Sequence, residues 1–280
     1  MADEGPGWQT YAYHRRFLLG EKRNELVNLG EVQRYGRDVF GDPDFVSVYG
    51  LRPTEWYARG VRLLGRTVVE CTRDLFADLI ASDLAAVAKT VTTGGSIVID
   101  PFAGSGNTLY WITRNVEPAH SVGFEQDDVV FELTRRNLSI LGLGIDVLHD
   151  TYERGLKMLT VRGDELIILF VSPPWGEALD PDAGLDLRRT TPPVAEIVDL
   201  AAAVFNRHKL LFGIQAYESV NADSLAEVTA RFESSALHVY DINPQAQNPG
   251  LLLGTVGWIA PSLHVRERDK KTAEADRPLL

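Results

Sequence analysis

Cysteine is almost missing from this chain: Cys71 is the only one among 280 residues. No internal disulfide and no multi-cysteine metal centre can form, and the six histidines are scattered without ligand spacing, so no metal is expected. Long apolar runs are missing too. No stretch approaches the roughly 18 to 20 residues that a membrane helix needs, and the opening MADEGPGWQT lacks the charged-then-apolar build of a signal peptide. A cytoplasmic location with no membrane span is the expectation. Internal repeats are absent as well. Basic residues are scarce where they would matter for a polyanion: residues 1–95 carry 12 Lys and Arg against 13 Asp and Glu, which leaves 16 against 26 for the remainder. An acidic C-terminal two thirds repels a long duplex, because duplex binding draws much of its affinity from neutralised phosphates.

What is present is ample apolar material, 45% of the chain, enough for one large core. From residue 96 onward short apolar runs alternate with segments of helical period, the pattern of a doubly wound α/β sheet. The expected strands are 96–100, 121–125, 145–150, 165–172, 208–217, 236–243 and 251–259. The expected helices between the first six are 107–115, 127–141, 151–159, 193–206 and 222–232. Only Pro244 to Gly250 separates the last two strands, too short for a crossover helix, so these two should pair antiparallel. Upstream, residues 73–90 read as an amphipathic helix feeding the first strand. Residues 1–72 form a separate N-terminal helical extension, 73–264 the main domain, and the charged segment 265–280 a disordered tail.

Val98 to Thr108, VIDPFAGSGNT, places a strand, an acid, a glycine turn and a helix start in immediate succession. Gly104 and Gly106 let the backbone approach a ligand, and the free N–H groups of a helix starting at Asn107 and Thr108 suit a carboxylate. The second strand ends in Glu125, 25 residues after Asp100, where an acid can accept both hydroxyl hydrogens of a ribose. Asp150 ends the third strand; it either meets the amino group of an adenine or serves as a cap or solvated loop residue.

After the fourth run comes Ser172-Pro173-Pro174-Trp175-Gly176. Two prolines fix φ and remove donors, leaving stiff carbonyls free to accept hydrogen bonds from a planar amine. Ser172 or its carbonyl, with the Pro173 carbonyl, would be the acceptors, and Trp175 would stack on the ring. The bland alternative is a proline-stiffened turn with a core tryptophan.

Taken together, Asp100-Pro101-Phe102-x-Gly104-x-Gly106-x-Thr108 and Ser172 to Trp175 resemble the two motifs of class I S-adenosylmethionine-dependent amino-methyltransferases, in the order that family has them. Gly106-Asn107-Thr108 with Ser172 to Gly176 looks most like trimethylguanosine synthase-like RNA cap methyltransferases, while Pro101 looks like the DNA amino-methyltransferases. The resemblance covers about residues 96–176 and departs after Gly176. It implies a Rossmann-like seven-stranded fold and S-adenosyl-L-methionine as cofactor. The residues it assigns to that cofactor are Asp100, Phe102, Gly104, Gly106, Asn107, Thr108, Glu125 and Asp150, and the reacting loop is Ser172, Pro173, Pro174 and Trp175.

The acceptor is narrowed by size. A DNA enzyme of this kind needs a recognition region, and the 104 residues after Gly176 are used up by three strands, two helices and the tail. A small heteroaromatic molecule or a nucleotide is therefore expected, with a structured RNA end as the alternative and a non-catalytic cofactor-binding subunit as a reading from another class. Residues 1–70 hold seven of the 14 Trp and Tyr residues (Trp8, Tyr11, Tyr13, Tyr35, Tyr49, Trp56, Tyr57), mixed with Arg15, Arg16, Arg52, Arg59 and Arg62. Such a mixture suits a lid over a planar acceptor, or simply the packing of the extension on its parent. On the lid reading, a chain starting near Arg73 keeps its cofactor site. Glu177, Asp180 and Asp182 could take a departing proton, or form an acidic surface loop.

Overall fold

Leu166–Val171 is buried at every residue, and a strand that is apolar on both faces must lie inside a sheet covered on both sides. In the computed structural model, which describes residues 13–91, 93–176, 178–180, 184–242 and 248–263, it is β4 at the middle of a seven-stranded sheet. The others are β1 (Ser96–Asp100), β2 (His120–Glu125), β3 (Asp146–His149), β7 (Leu210–Tyr217), β8 (Ser234–Val239) and β9 (Pro249–Val256), in the order β3-β2-β1-β4-β7-β9-β8. β1, β2, β3, β4 and β7 are mutually parallel, and β9 runs antiparallel to both β7 and β8. This is the Rossmann-like seven-stranded fold anticipated above, with one refinement. The last strand does not sit at the edge of a hairpin but slots back between β7 and β8. Burial explains the choice: Leu251 to Thr255 are buried while β8 is half-exposed along its length, so β8 takes the edge.

Helices cover both faces. On one side lie α4 (Asp74–Ala88) and α5 (Asn107–Val116), packed with Val98, Ile168, Phe170 and Leu211. On the other lie α7 (Tyr152–Met158), α8 (Val194–Val204) and α9 (Ala222–Thr229), packed with Ile99, Leu169, Val171, Phe212 and Ile214. The helix α6 (Asp128–Ile140) links β2 to β3. Among the described residues no helix is long and apolar enough to cross a membrane, and no group of three metal-ligating side chains occurs.

The extension contributes α1 (Leu29–Phe40), α2 (Pro53–Ala58) and α3 (Gly65–Glu70). Asn28 caps α1 through a reciprocal pair with Glu31, and Gly41 ends it in the left-handed conformation. The extension has a core of its own around Trp56, Val32, Val46 and Leu63, which also takes in Ala103, Leu138 and Val147 of the parent domain. Trp8, Tyr11 and the tail from Val265 lie outside the described residues.

Candidate active site

The chain crosses from one half of the sheet to the other between β1 and β4. In open α/β sheets the crevice outside the carboxyl ends of the strands at such a switch point is where ligands bind. Both motifs emerge there, the glycine turn from the end of β1 and the Ser-Pro-Pro-Trp loop from the end of β4, on strands that are direct neighbours.

On the β1 side, Gly104 (φ +50°) and Gly106 (φ +72°) adopt the left-handed backbone that glycine takes without strain. The turn is held from below. A β-carbon on Gly123 of β2 would come 2.7 Å from that of Ala103, so the turn rests directly on the strand. Glu125 ties it from the side, its Oε2 accepting from the Gly104 N–H (3.1 Å) and its Oε1 from the Asp127 N–H (2.8 Å). Burial pushes the Glu125 carboxyl above its ordinary range. Asp100 is 2% exposed, takes one hydrogen bond from the Phe102 N–H (3.0 Å), and is pushed by burial up to about 7. The Phe102 ring lies against that of Tyr152, with centroids 5.3 Å apart.

The Asn107 side chain is engaged inside the protein. Its Oδ1 accepts from the Tyr49 N–H (2.6 Å), its Nδ2 donates to the Thr72 carbonyl (2.7 Å), and it is 1% exposed. Irregular backbone laid against a domain leaves polar groups that need partners, and one amide supplies a donor and an acceptor together. The side chain is thus a clamp on the extension, and the Asn107 N–H donates to Ser105 Oγ (3.3 Å). Thr108 is buried beside it. Asp150 accepts from the Thr151 N–H (2.9 Å) and pairs with Arg154 (3.3 Å), while the cap of the following helix is Thr151.

On the β4 side, the Pro174 carbonyl accepts from the Thr191 N–H (3.1 Å) and the Trp175 carbonyl from the Ala178 N–H (2.7 Å). Among the described residues no donor reaches the carbonyls of Ser172 or Pro173. The Ser172 hydroxyl donates to Gln215 Oε1 (3.0 Å), which leaves its own lone pairs open. Trp175 is half-buried and meets the ring of Tyr217 edge-on, with centroids 4.8 Å apart. Behind it, a two-rung ladder of β5 (Leu179–Asp180) and β6 (Gly184–Leu185) fixes the loop to the end of β7 through Leu185 and Ser219 (2.9 Å). Asp180 is therefore part of a strand. Glu177 and Asp182 lie outside the described residues.

The two halves are joined by a residue with no local sequence signal. Thr72 accepts from Asn107 through its carbonyl and donates its hydroxyl to Gln215 Oε1 (2.9 Å), the same oxygen that Ser172 binds. Gln215 could have been noticed, as the lone amide near the carboxyl end of the apolar strand LLFGIQAY. The extension's aromatic residues are mainly internal: Tyr35, Tyr49 and Trp56 are buried, and the Tyr49 hydroxyl donates to the Ser105 carbonyl. Further bonds from Gly50 to Asp74 (3.0 Å), from Arg62 to Asn137 (3.0 Å) and from Arg66 to Asp127 (2.7 Å) lay the extension across the glycine-turn side.

No protein-family model matches the sequence, and a search of curated proteins finds no match. Solved structures do resemble it at low identity. An rRNA methylase from Streptococcus thermophilus shares 16% identity at a TM-score of 0.40, over 66% of this chain and 98% of that one. The precorrin-6y C5,15-methyltransferase from Geobacter metallireducens shares 13% at 0.42, over 66% and 90%. A Pyrococcus abyssi tRNA (uracil-54, C5)-methyltransferase, in complex with S-adenosyl-L-homocysteine, shares 16% at 0.39, over 70% and 42%. Likenesses this remote transfer neither an activity nor a cofactor.

Proposed function

We propose that the chain is an S-adenosylmethionine-dependent methyltransferase acting on a nitrogen of a planar, nucleobase-like small molecule or nucleotide. The observation that carries this reading is the meeting of the glycine turn and the Ser172–Trp175 loop at one switch point, locked together through Thr72 and Gln215.

The residues present fit that cofactor. Asp100 is a buried carboxyl with no Lys or Arg paired to it among the described residues, and it regains its charge if a ligand ammonium comes beside it. Glu125 spends one lone pair per oxygen on backbone N–H groups and keeps the others for two ribose hydroxyls. When bound, S-adenosylmethionine supplies an activated methyl on a sulfonium.

The work left to the chain is alignment. The Ser172 hydroxyl oxygen and the Ser172 and Pro173 carbonyls accept from the N–H groups of the amine, which aims its lone pair at the crevice. The exposed side of Trp175 takes the ring, a contact worth about 1 to 3 kcal/mol. Holding two reactants in line is worth roughly 7 to 11 kcal/mol, so orientation outweighs stacking and no strong base is required. Incubation with labelled S-adenosylmethionine and a panel of heteroaromatic amines tests the reading, with S-adenosylhomocysteine titrated calorimetrically in parallel. Binding without turnover of any amine favours the non-catalytic subunit; absence of binding removes the cofactor assignment.

A further inference from the structure

Arg73 stands at the junction of the extension and α4, next to Thr72. Its guanidinium lies 3.4 Å from the centroid of Phe45, which in turn stacks on Phe40. Among the described residues it has no ion pair and no side-chain hydrogen bond; Asp42 acts on it only at longer range. Burial depresses it to about 10. Phenyl faces compensate a desolvated guanidinium only in part, so the group remains in deficit for an anion.

The surroundings say where that anion would sit. Thr72 is bonded to Gln215, and Gln215 to Ser172. Tyr217, two residues along the same face of β7 from Gln215, sets its ring against Trp175. Arg73, next in the chain to Thr72, therefore borders the acceptor side of the crevice, in a chain whose net charge is −11. A cation with no ion pair among the described residues selects for a substrate that brings the opposite charge, and a planar fork of donors matches an oxyanion.

We propose that Arg73 receives an oxyanion, phosphate or carboxylate, carried by the planar acceptor; the inference rests on the acceptor role given above to the Ser172–Trp175 loop. The test uses the full-length protein saturated with S-adenosylhomocysteine. Cytidine 5′-monophosphate is titrated against cytidine, and anthranilate against aniline, by calorimetry. The charged member of at least one pair should bind about tenfold tighter or more, the range for hydrogen bonds to a charged group. The first pair reports a phosphate and the second a carboxylate. Arg73→Gln should reduce that preference to under twofold while S-adenosylhomocysteine affinity stays within twofold. Should Arg73→Gln not fold, Arg73→Lys keeps the charge but not the fork and should lose at least threefold of the preference. No preference in either pair, or one that survives both substitutions, overturns the proposal. Binding of S-adenosylhomocysteine without an anion preference removes this proposal alone, whereas failure to bind it removes the reading beneath as well.

Discussion

A carboxyl shut away from water without a cation is costly only while ionised, and Asp100 is in that position. Its folded value near 7 lies above the ordinary 3.8, so the unfolded chain gives up the proton first. Stability from this group is fully present below about pH 4, declines through the interval and is gone above about pH 7. Asp100→Asn should therefore raise Tm relative to the native protein at pH 8 and change it little at pH 4, while weakening S-adenosylmethionine binding. Thermal scans at the two pH values decide, and equal shifts at both would refute the account. Glu125→Ala removes the proposed ribose acceptor and the tie to Gly104 together, so affinity should fall by about 1.5 to 3 kcal/mol, roughly 10- to 150-fold. Calorimetry on the folded variant reads this directly, and unchanged affinity takes Glu125 out of the site. Trp175→Ala should spare cofactor binding and lower turnover, with Trp175→Phe recovering part of it, because the proposal needs a flat ring. Loss of cofactor binding in Trp175→Ala, or intact turnover, would make the tryptophan a packing residue.

At the scale of elements, the extension is tied to the glycine turn more closely than a lid would be. Its core takes in Ala103 of the turn and Leu138 of α6, and the Asn107 amide bridges Tyr49 and Thr72. A chain starting at Arg73 would expose that shared apolar surface and strip the buried Asn107 amide of its Tyr49 and Thr72 partners, each a named route to severe destabilisation. We expect it to lose S-adenosylhomocysteine binding, with Tm lowered by more than about 2 to 4 °C, as a loss exceeding 1 kcal/mol would give in a chain of this size. Scanning calorimetry and a cofactor titration test this, and native affinity in the truncated protein would show the extension to be dispensable for that half. The sequence left both outcomes open, because aromatic residues mixed with arginine look alike whether they face a ligand or each other. Burial of Trp56 and Tyr35 decides for the interior.

For the whole molecule, net charge sets what it can hold. A net −11 gives a long polyanion little to hold, so duplex DNA should show no measurable binding at about 150 mM salt in an electrophoretic shift assay. Tight, salt-sensitive binding would reverse the small-acceptor reading. How much of this was legible in one dimension follows from the range of each interaction. The sequence by itself determined the strands and crossover helices to within a few residues, the antiparallel pairing of β8 with β9, and the two motifs. Periodicity, turn residues and proline act over a handful of neighbours and leave their mark locally. Only the tertiary structure decided that β9 inserts beside β7, that Asn107 faces the extension, and that Thr72 and Gln215 join the turn to the Ser172 loop. Gln215 lies 143 residues from Thr72, and contacts over such separations are selected by which surfaces are left to bury once the sheet has formed, a quantity no local pattern contains.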